Sequence, residues 1–339
     1  MASQVTSKPA DDTRDLELLD QLAVARAALM QQIGRRIIGQ HAIVDNLLAA
    51  VLAGGHALLV GVPGLAKTLL VQTLAEALEL SFSRIQFTPD LMPSDITGTE
   101  VLQEDKTTGQ RMFKFLHGPL FANVVLADEI NRTPPKTQAA LLEAMQERQV
   151  TLADTTFRLD DPFWVLATQN PVEQEGVYPL PEAQLDRFSM MLRVDYPGAD
   201  DELQMLRVKT TNVTLDRQLA PEDVARIRDL IRDRVHVDDR IRQYVVRLGR
   251  ATRAPGDVGR PGLSEVLTLG ISPRSYQHIL ALARVTAFQH GRAYVLPQDV
   301  KEIFCDAGRH RILRSVRAQT ENISADAILH ELLAAVPIP

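Results

Sequence analysis

Two short stretches of the sequence carry side chains of the types and spacing that phosphate chemistry needs. The first reads GVPGLAKT and consists of Gly61, Val62, Pro63, Gly64, Leu65, Ala66, Lys67 and Thr68. A glycine-rich turn between a strand and a helix exposes backbone amides that can surround a polyphosphate. Lys67 can then reach the β- and γ-phosphates, and the Thr68 hydroxyl can ligate Mg²⁺. This stretch therefore predicts a site for ATP and Mg²⁺.

One position of this turn departs from the usual pattern. Ala66 stands where a glycine normally precedes the lysine. Because only a positive φ angle requires glycine, alanine is tolerable here if Ala66 is already helical with a negative φ angle, just before the helix Thr68 to Leu78. The alternative is a chance loop in which the stem of Lys67 is simply buried.

The second stretch, NVVLADE, ends in two acidic residues. It is an apolar strand that begins at Asn123, so Asp128 and Glu129 emerge at the carboxyl edge of a sheet, where open α/β sheets bind ligands. We assign Asp128 to the Mg²⁺ sphere beside Thr68, and Glu129 to the base that orients and deprotonates the attacking water. Helix starts also favour carboxylates, so an acidic N-cap before the helical run Pro134 to Arg148 is the alternative.

The elements that must position these side chains alternate short apolar strands with helices. Five strands are predicted, with the sequences HALLVG, SFSRIQF, NVVLAD, FWVLATQN and SMMLRVDY. This alternation indicates an α/β fold with a parallel sheet. Beyond Tyr196, Pro197 and Gly198 the strand signals end, and amphipathic segments such as Pro221 to Arg234 and Asp238 to Thr252 follow.

The chain is therefore divided into three parts. Residues 1–14 are expected to form a loose polar tail, residues 15–198 an α/β nucleotide-binding core that opens with a helix over Asp15 to Met30, and residues 199–339 a helical lid.

Five motifs occur in an order that resembles one known family. GVPGLAKT, LADEINR, ATQNP, LPEAQLDRF and GISPRS resemble the MoxR branch of the AAA+ ATPases, and the resemblance extends from Ile33 to Leu313. It implies a P-loop NTPase core, in which a parallel five-stranded sheet lies between helical layers, and a C-terminal all-α lid. It also implies ATP hydrolysis as the activity.

The resemblance assigns further residues to the nucleotide. Asn170 of ATQNP matches the polar sensor that holds the attacking water together with Glu129. Arg187 of LDRF matches the arginine finger, which acts on the nucleotide of a neighbouring subunit. Arg274 of GISPRS matches a second sensor, which reaches from the lid to the γ-phosphate of its own subunit. A weaker match assigns the adenine pocket to Ile38, Gly39 and Gln40.

The residue types alone leave two of these assignments open. Arg187 could be a structural arginine paired with Asp186 or Glu182, because surface arginine pairs are common. Asn170 could be a turn residue at the end of a strand before Pro171.

The sequence defines the position of Arg274 at the start of a helix more clearly. Ser272 and Pro273 have the types expected for the N-cap and the first residue of a helix. Arg274 would therefore project from a helix start whose position is fixed by the cap.

Two insertions in the core are predicted to be β-hairpins. Residues 96–116 alternate around a turn-like Asp105 to Gln110, and residues 150–159 alternate around Ala153 to Thr155. They resemble the helix-two insert and the pre-sensor insert of this clade, which in ring ATPases face the pore or the axial surface and touch the client. Solvent-exposed hairpins without a role remain the alternative.

Charge argues against nucleic acid as a partner. The formal net charge is -6, which provides no basic excess for a phosphate backbone. The arginine-rich stretch Arg226 to Arg260 is interleaved with Asp229, Asp233, Asp238 and Asp239. We expect these aspartates to pair with arginines along helix faces, which lowers the local field.

Neither a membrane span nor secretion is expected. The apolar stretch Leu47 to Ala66 is interrupted by Gly54, Gly55 and Pro63, which divide it into a helix, a turn and a strand. Cys305 is the single cysteine and no signal-peptide pattern opens the sequence, so we expect a cytoplasmic protein.

The resemblance further implies a homo-oligomeric ring, expected to be a hexamer, that remodels, activates or matures a client metalloenzyme together with a von Willebrand factor A domain protein. Two other classes stay open. One is a DNA-associated AAA+ motor, because helicases share the helix-two insert. The other is a nucleotide-sensing scaffold with little turnover.

Overall fold

The computed structural model describes residues 26–62, 64–104, 111–152, 155–171, 176–207 and 219–339, and of Met112 the backbone alone. Five of its strands are β1 (His56–Gly61), β2 (Phe82–Gln86), β5 (Val124–Asp128), β8 (Trp164–Gln169) and β9 (Phe188–Val194). They form one sheet in the order β2-β5-β8-β1-β9, and all four pairings are parallel. The α/β core with a parallel five-stranded sheet is confirmed.

The sheet is buried on both faces. Leu58 and Leu59 are neighbours on β1, and they pack into two different apolar clusters, one on each side of the sheet. Continuous apolar strands of this kind are typical of parallel sheets that are covered by helices. Because the strands run in parallel register, His56 lies beside Phe188, and Gln86 lies beside Asp128.

Helices cover the two faces of the sheet unequally. The cluster of Leu59 includes residues of the helices His41–Leu52 and Lys67–Ala77, whereas the cluster of Leu58 includes residues of the helix Pro135–Glu147. The helices of the core are α1 (over residues 26–34), α2 (His41–Leu52), α3 (Lys67–Ala77), α4 (Pro93–Thr97), α5 (Pro135–Glu147) and α6 (Glu182–Leu185), with 3-10 turns at Pro119–Phe121 and Ile130–Arg132. Helix α7 (Ala199–Arg207) begins the segment that was assigned to the lid. Most of the helix expected over Asp15 to Met30 lies outside the described residues.

Both insertions contain antiparallel strand pairs. In the first, β3 (Gly98–Glu104) pairs with β4 (Arg111–His117), and in the second, β6 (Gln149–Leu152) pairs with β7 (Thr155–Arg158). The expected turn Asp105 to Gln110 lies outside the described residues. Of the expected turn Ala153 to Thr155, residues 153–154 lie outside them, and Thr155 is already the first residue of β7. Phe115 of β4 stacks on Phe157 of β7 with ring centroids 4.3 Å apart. This contact joins the two hairpins.

The lid is helical, as expected. Its helices are α8 (Pro221–Arg234), α9 (Asp239–Ala251), α10 (Pro273–Gln289), α11 (Pro297–Gly308), α12 (Val316–Thr320) and α13 (Ala325–Ala335), with 3-10 turns at Pro255–Val258 and Pro261–Glu265. The expectation of an all-α lid needs one correction, because β10 (Leu267–Leu269) pairs antiparallel with β11 (Leu313–Arg314). These strands of three and two residues are too short to give an alternating pattern.

The apolar stretch Leu47 to Ala66 divides as expected. It supplies the end of α2, all of β1 and the turn before α3. Within the described ranges, every helix is too short or too polar to cross a membrane.

Candidate active site

The turn that follows β1 brings Lys67 to the start of α3. The Lys67 ammonium donates to the backbone carbonyls of Gly61 and Val62, the latter at 3.3 Å. Partial burial lowers the pKa of Lys67, while the carboxylates of Asp128 and Glu129 act in the opposite direction. Lys67 is thus a desolvated cation at the mouth of the turn. Pro63 lies outside the described residues.

Ala66 does not meet the condition under which alanine fits this turn without strain. Ala66 is the N-cap of α3 and has a φ angle of 52°, in the left-handed region. Left-handed backbone costs a residue with a Cβ about 1–2 kcal/mol, because the Cβ approaches the following carbonyl. The turn therefore keeps the conformation that a glycine would adopt, and the alanine carries strain.

One cleft of about 430 Å³ brings the phosphate turn together with Asp128, Glu129 and Asn170. Its lining includes the phosphate turn and the carboxyl ends of β5 and β8, because these strand ends meet at one edge of the parallel sheet. The lining residues are Gly64, Leu65, Ala66, Lys67, Thr68, Leu69, Arg84, Asp128, Glu129, Thr168 and Asn170. Lys67, Thr68, Asp128, Glu129 and Asn170 were predicted from sequence, and the structure brings them together.

Both oxygens of the Asp128 carboxylate accept hydrogen bonds in this structure. Thr168 donates its hydroxyl to Oδ1 at 2.6 Å, and Arg84 donates Nε and Nη2 to Oδ2 at 3.1 and 2.7 Å. The Thr168 oxygen also accepts the backbone N–H of Glu129 at 2.8 Å. Thr168 therefore fixes both acidic residues, on the backbone of one and the side chain of the other.

Glu129 is held by two donors. Its Oε2 accepts Nε2 of Gln86 at 2.8 Å and Nη1 of Arg132 at 3.1 Å. Glu129 has a φ angle of 58° and precedes a 3-10 turn, but its side chain makes no capping hydrogen bond. The alternative role of an acidic helix cap therefore does not describe Glu129.

The weak adenine-pocket segment Ile38, Gly39 and Gln40 adjoins the phosphate turn. Gln40 is buried, and its Nε2 donates to the carbonyl of Leu65 at 3.3 Å. Its Oε1 is buried and has no hydrogen-bond partner among the described residues. A buried acceptor without a partner is costly, and a ligand with an amino group would satisfy it. This orphan atom fits a purine such as adenine.

Arg187 and Arg274 lie elsewhere, together in a second pocket of about 330 Å³. This pocket includes His56, the first residue of β1, and Arg187 directly precedes β9 at the same level. The phosphate turn follows the opposite end of β1. A strand of six residues spans roughly 20 Å, which is longer than an arginine side chain.

The expectation that Arg274 reaches the phosphates of its own chain therefore does not match this structure. Among the described residues, neither Arg187 nor Arg274 forms an ion pair or a side-chain hydrogen bond. Both guanidinium groups are available to a ligand outside the chain.

Asp186, which directly precedes Arg187, is bound to three residues of the lid. It accepts Nε of Arg311 at 2.7 Å and the hydroxyls of Ser272 and Ser275 at 3.0 and 3.3 Å. The proposed pairing of Arg187 with Asp186 is therefore absent, because Asp186 is paired with Arg311. Ser272 is the N-cap residue of α10 as expected, but its hydroxyl bonds to Asp186 and makes no capping bond.

Comparisons with known proteins identify the family. A model of the ATPase family associated with various cellular activities matches residues 56–190, and an AAA lid domain model matches residues 263–332. The protein Chaperone MoxR1 of Mycobacterium tuberculosis is 43% identical over 91% of this chain and 81% of its own length. This chain belongs to the MoxR family of AAA+ ATPases.

Two further relatives cover nearly all of this MoxR-family chain. The protein YeaC of Bacillus subtilis is 43% identical over 91% of the chain and 93% of its own length. A solved structure of a candidate ATPase from Cytophaga hutchinsonii is 42% identical, with a TM-score of 0.88, and covers 97% of this chain and 98% of its own. The nucleotide-binding, helical-lid and ATPase assignments of this MoxR-family protein are thereby confirmed.

The arginine-rich stretch of the lid forms the expected ion pairs. Arg232 contacts Asp229 and Asp233, and Arg242 contacts Asp239 at 2.6 Å. These pairs neutralise much of the positive charge on α8 and α9 of this MoxR-family ATPase.

Sequence reasoning missed four residues that contact Asp128 or Glu129, and one of them, Arg132, lies in the 3-10 turn directly after Glu129. Arg84 and Gln86 lie on β2, and Thr168 lies on β8, the two strands that flank β5. Polar residues near the carboxyl ends of apolar strands were the available signal. That signal needs the strand order before it can point to Asp128 and Glu129.

Proposed function

We propose that this ATPase hydrolyses ATP with Mg²⁺ in the cleft of the phosphate turn. The single observation that carries the proposal is the convergence of Lys67, Thr68, Asp128 and Glu129 on one cleft. The Thr68 hydroxyl and the Asp128 carboxylate are hard oxygen donors, which suit Mg²⁺. These two residues would hold Mg²⁺, which would supply positive charge to offset the negative charge of the phosphates during hydrolysis.

The chain's own residues perform the remaining steps. Backbone amides at the start of α3 and the Lys67 ammonium bind the phosphates. Glu129 orients the attacking water and accepts its proton at a carboxylate oxygen, and the Asn170 amide holds the same water. Gln40 accepts the adenine amino group with its orphan Oε1. Thr168 keeps Asp128 and Glu129 in register.

We propose that the active site is shared between subunits of a ring, as in a hexamer. The support is the separation of the two clefts. Arg187 and Arg274 lie at the amino edge of the sheet, a strand length from Lys67, and neither has a polar partner among the described residues. A head-to-tail ring brings two different surfaces of neighbouring subunits together, and we propose that this edge of one subunit faces the carboxyl edge of the next. Both arginines then act on the neighbour's γ-phosphate.

Coupling to a client is proposed through the two joined hairpins. Leu102 and Phe113 are cross-strand partners on the β3–β4 pair, and their side chains are 55% and 72% exposed. Phe115 lies on the same face and stacks on Phe157 of the second hairpin. The relative named Chaperone MoxR1 supports a chaperone-like role. We propose remodelling, activation or metal-cofactor maturation of a client complex, with a von Willebrand factor A domain protein as partner.

The test is steady-state phosphate release by the purified full-length protein. With ATP and Mg²⁺ the wild type should turn over, and Glu129→Gln should lose at least about 100-fold, because a general base contributes about that much or more. Glu143→Gln, an exposed carboxylate on α5, is the matched control and should retain the wild-type rate. A wild type that binds ATP without turnover would instead identify a nucleotide-sensing scaffold. Stimulation by DNA would favour the motor alternative.

A further inference from the structure

Arg84 lies in the nucleotide cleft and is bound to the proposed metal ligand. It is on β2, the strand next to β5, and its side chain is 48% exposed while that of Asp128 is 13% exposed. Its Nε and Nη2 converge on Oδ2 of Asp128 at 3.1 and 2.7 Å. Two charge-assisted hydrogen bonds on one oxygen are a strong contact.

The remaining capacity of the Asp128 carboxylate is small. Oδ1 already accepts the Thr168 hydroxyl at 2.6 Å. A carboxylate has about four lone-pair sites in all, and three donors occupy this one. Mg²⁺ requires oxygen ligands in near-octahedral geometry, so it competes with the guanidinium for the same oxygen atoms.

Gln86 holds Arg84 in this position. Nη2 of Arg84 also donates to Oε1 of Gln86 at 2.7 Å, and Nε2 of Gln86 donates to Oε2 of Glu129 at 2.8 Å. A chain of side chains therefore connects Asp128 through Arg84 and Gln86 to Glu129. Release of Arg84 from Asp128 removes the anchor of the Gln86 amide.

We propose that Arg84 is the counter-ion of Asp128 in the nucleotide-free protein and leaves Oδ2 when Mg²⁺ and nucleotide bind. Arg84 is then a positioning residue that sets the affinity for the metal, and its departure loosens the hold of Gln86 on Glu129. The proposal rests on the proposed function, since it takes the cleft to be the Mg²⁺–nucleotide site.

The experiment measures ADP binding to the full-length protein by isothermal titration calorimetry, once with Mg²⁺ and once with EDTA. The dissociation constant measured in EDTA, divided by the one measured with Mg²⁺, reports how much the metal strengthens ADP binding. Direct contacts of Arg84 to phosphate affect both constants and cancel in this ratio. Arg84→Gln removes the ion pair that competes with Mg²⁺ for Asp128, and this should raise the ratio about fivefold. Arg84→Lys keeps the charge but loses the paired donors, so it should give an intermediate increase.

Arg193→Gln is the matched control. Arg193 lies on β9 at the far edge of the sheet, is 49% exposed and is paired with Asp326 at 3.0 Å. The Arg193→Gln substitution removes the same charge but lies outside the nucleotide cleft, so the ratio measured for this variant should equal that of the wild type. If Arg84→Gln does not fold, Arg84→Lys decides the question, and its ratio must exceed the wild-type ratio.

The counter-ion role of Arg84 and the proposed nucleotide site are contradicted by different results. An unchanged or smaller ratio in the Arg84 variants, with normal ADP binding by the wild type, overturns the counter-ion role alone. It would mean that Arg84 remains on Asp128 when the metal binds. Absence of ADP binding by the wild type in the presence of Mg²⁺ overturns both the proposed nucleotide site and the role of Arg84.

Discussion

Arg187 of the core and Arg274 of the lid line one pocket at the amino edge of the sheet, beside His56, whereas Lys67 lies beyond the carboxyl end of the same strand. The two arginines therefore form a unit that is separated from the phosphate turn of their own chain. The proposed role of this arginine pair is therefore to complete the active site of a neighbouring subunit.

Mixing two inactive variants tests this arrangement for Arg274. Arg274→Ala and Glu129→Gln should each be nearly inactive alone. In mixed rings, an Arg274→Ala subunit supplies an intact Glu129, and its Glu129→Gln neighbour supplies an intact Arg274. Random mixing at equal amounts should restore up to about a quarter of the wild-type phosphate release, because about a quarter of the head-to-tail interfaces are then complete.

The contrasting outcome is informative. If Arg274 acts on its own subunit's nucleotide, every site in a mixed ring lacks one of the two groups, and mixing restores nothing. Co-assembly must be verified by differential tagging. The same mixture with Arg187→Ala in place of Arg274→Ala should behave identically, since both arginines share the pocket.

The local parts of this site were predictable because each motif is contiguous in sequence. The phosphate turn lies between an apolar strand and a helix, and Asp128 and Glu129 follow an apolar strand, so the carboxyl edge of the sheet had to bring them together. The five strands were recognisable for the same reason, since each is a short apolar run with clear ends.

The parts that were missed depend on long-range packing. Arg84 reaches Asp128 because β2 pairs with β5, and the strand order β2-β5-β8-β1-β9 does not follow the chain. The position of Arg274 depends on how α10 docks against the core. No local pattern encodes either arrangement, and the left-handed φ angle of Ala66 contradicts the propensity of alanine.

Asp186 provides a stability prediction. The Arg311 side chain is 1% exposed, and burial lowers its pKa while Asp186 opposes that shift. Asp186→Asn leaves this guanidinium buried without a counter-ion, which should lower the free energy of unfolding by about 3 kcal/mol. Urea denaturation at pH 7.5 measures the loss.

Asp238→Asn serves as the control for Asp186. Asp238 pairs with Arg240 in an exposed ion pair at 3.0 Å and caps the start of α9, a role that asparagine also fills, so its replacement should leave the urea midpoint nearly unchanged. Equal effects of the two substitutions would show that Arg311 does not depend on Asp186.

Burial of His56 should make the folded protein less stable in acid. It is buried, its Nε2 lies 3.1 Å from the Met145 carbonyl, and its Nδ1 accepts the Val165 N–H at 3.0 Å, which requires a neutral ring. Burial lowers the pKa of His56 from 6.5 to about 4. The unfolded chain therefore binds a proton below pH 6.5 that the folded chain refuses until about pH 4. Over that window the free energy of unfolding should fall by up to about 3 kcal/mol from this residue.

The measurement compares urea unfolding of the wild type and His56→Gln between pH 7.5 and pH 4.5. The variant starts less stable, but its stability should decline less steeply on acidification. Some decline persists, because burial also lowers the pKa of His278 to about 4. His41→Gln, at an exposed position on α2, should show the full wild-type slope. Parallel curves for His56→Gln and the wild type would contradict the prediction.

Replacing alanine by glycine should have opposite effects on stability at Ala66 and at Ala139. At a φ angle of 52° glycine has no Cβ penalty, so Ala66→Gly should raise the free energy of unfolding by about 0.5–1 kcal/mol despite the greater freedom of the unfolded chain. Ala139→Gly, at an exposed position inside α5, should lower it by about 1 kcal/mol, because glycine is a poor helix former. Urea denaturation of both variants checks the signs. If Ala66→Gly destabilises as much as Ala139→Gly, the turn before Lys67 does not hold its alanine in the left-handed region in solution.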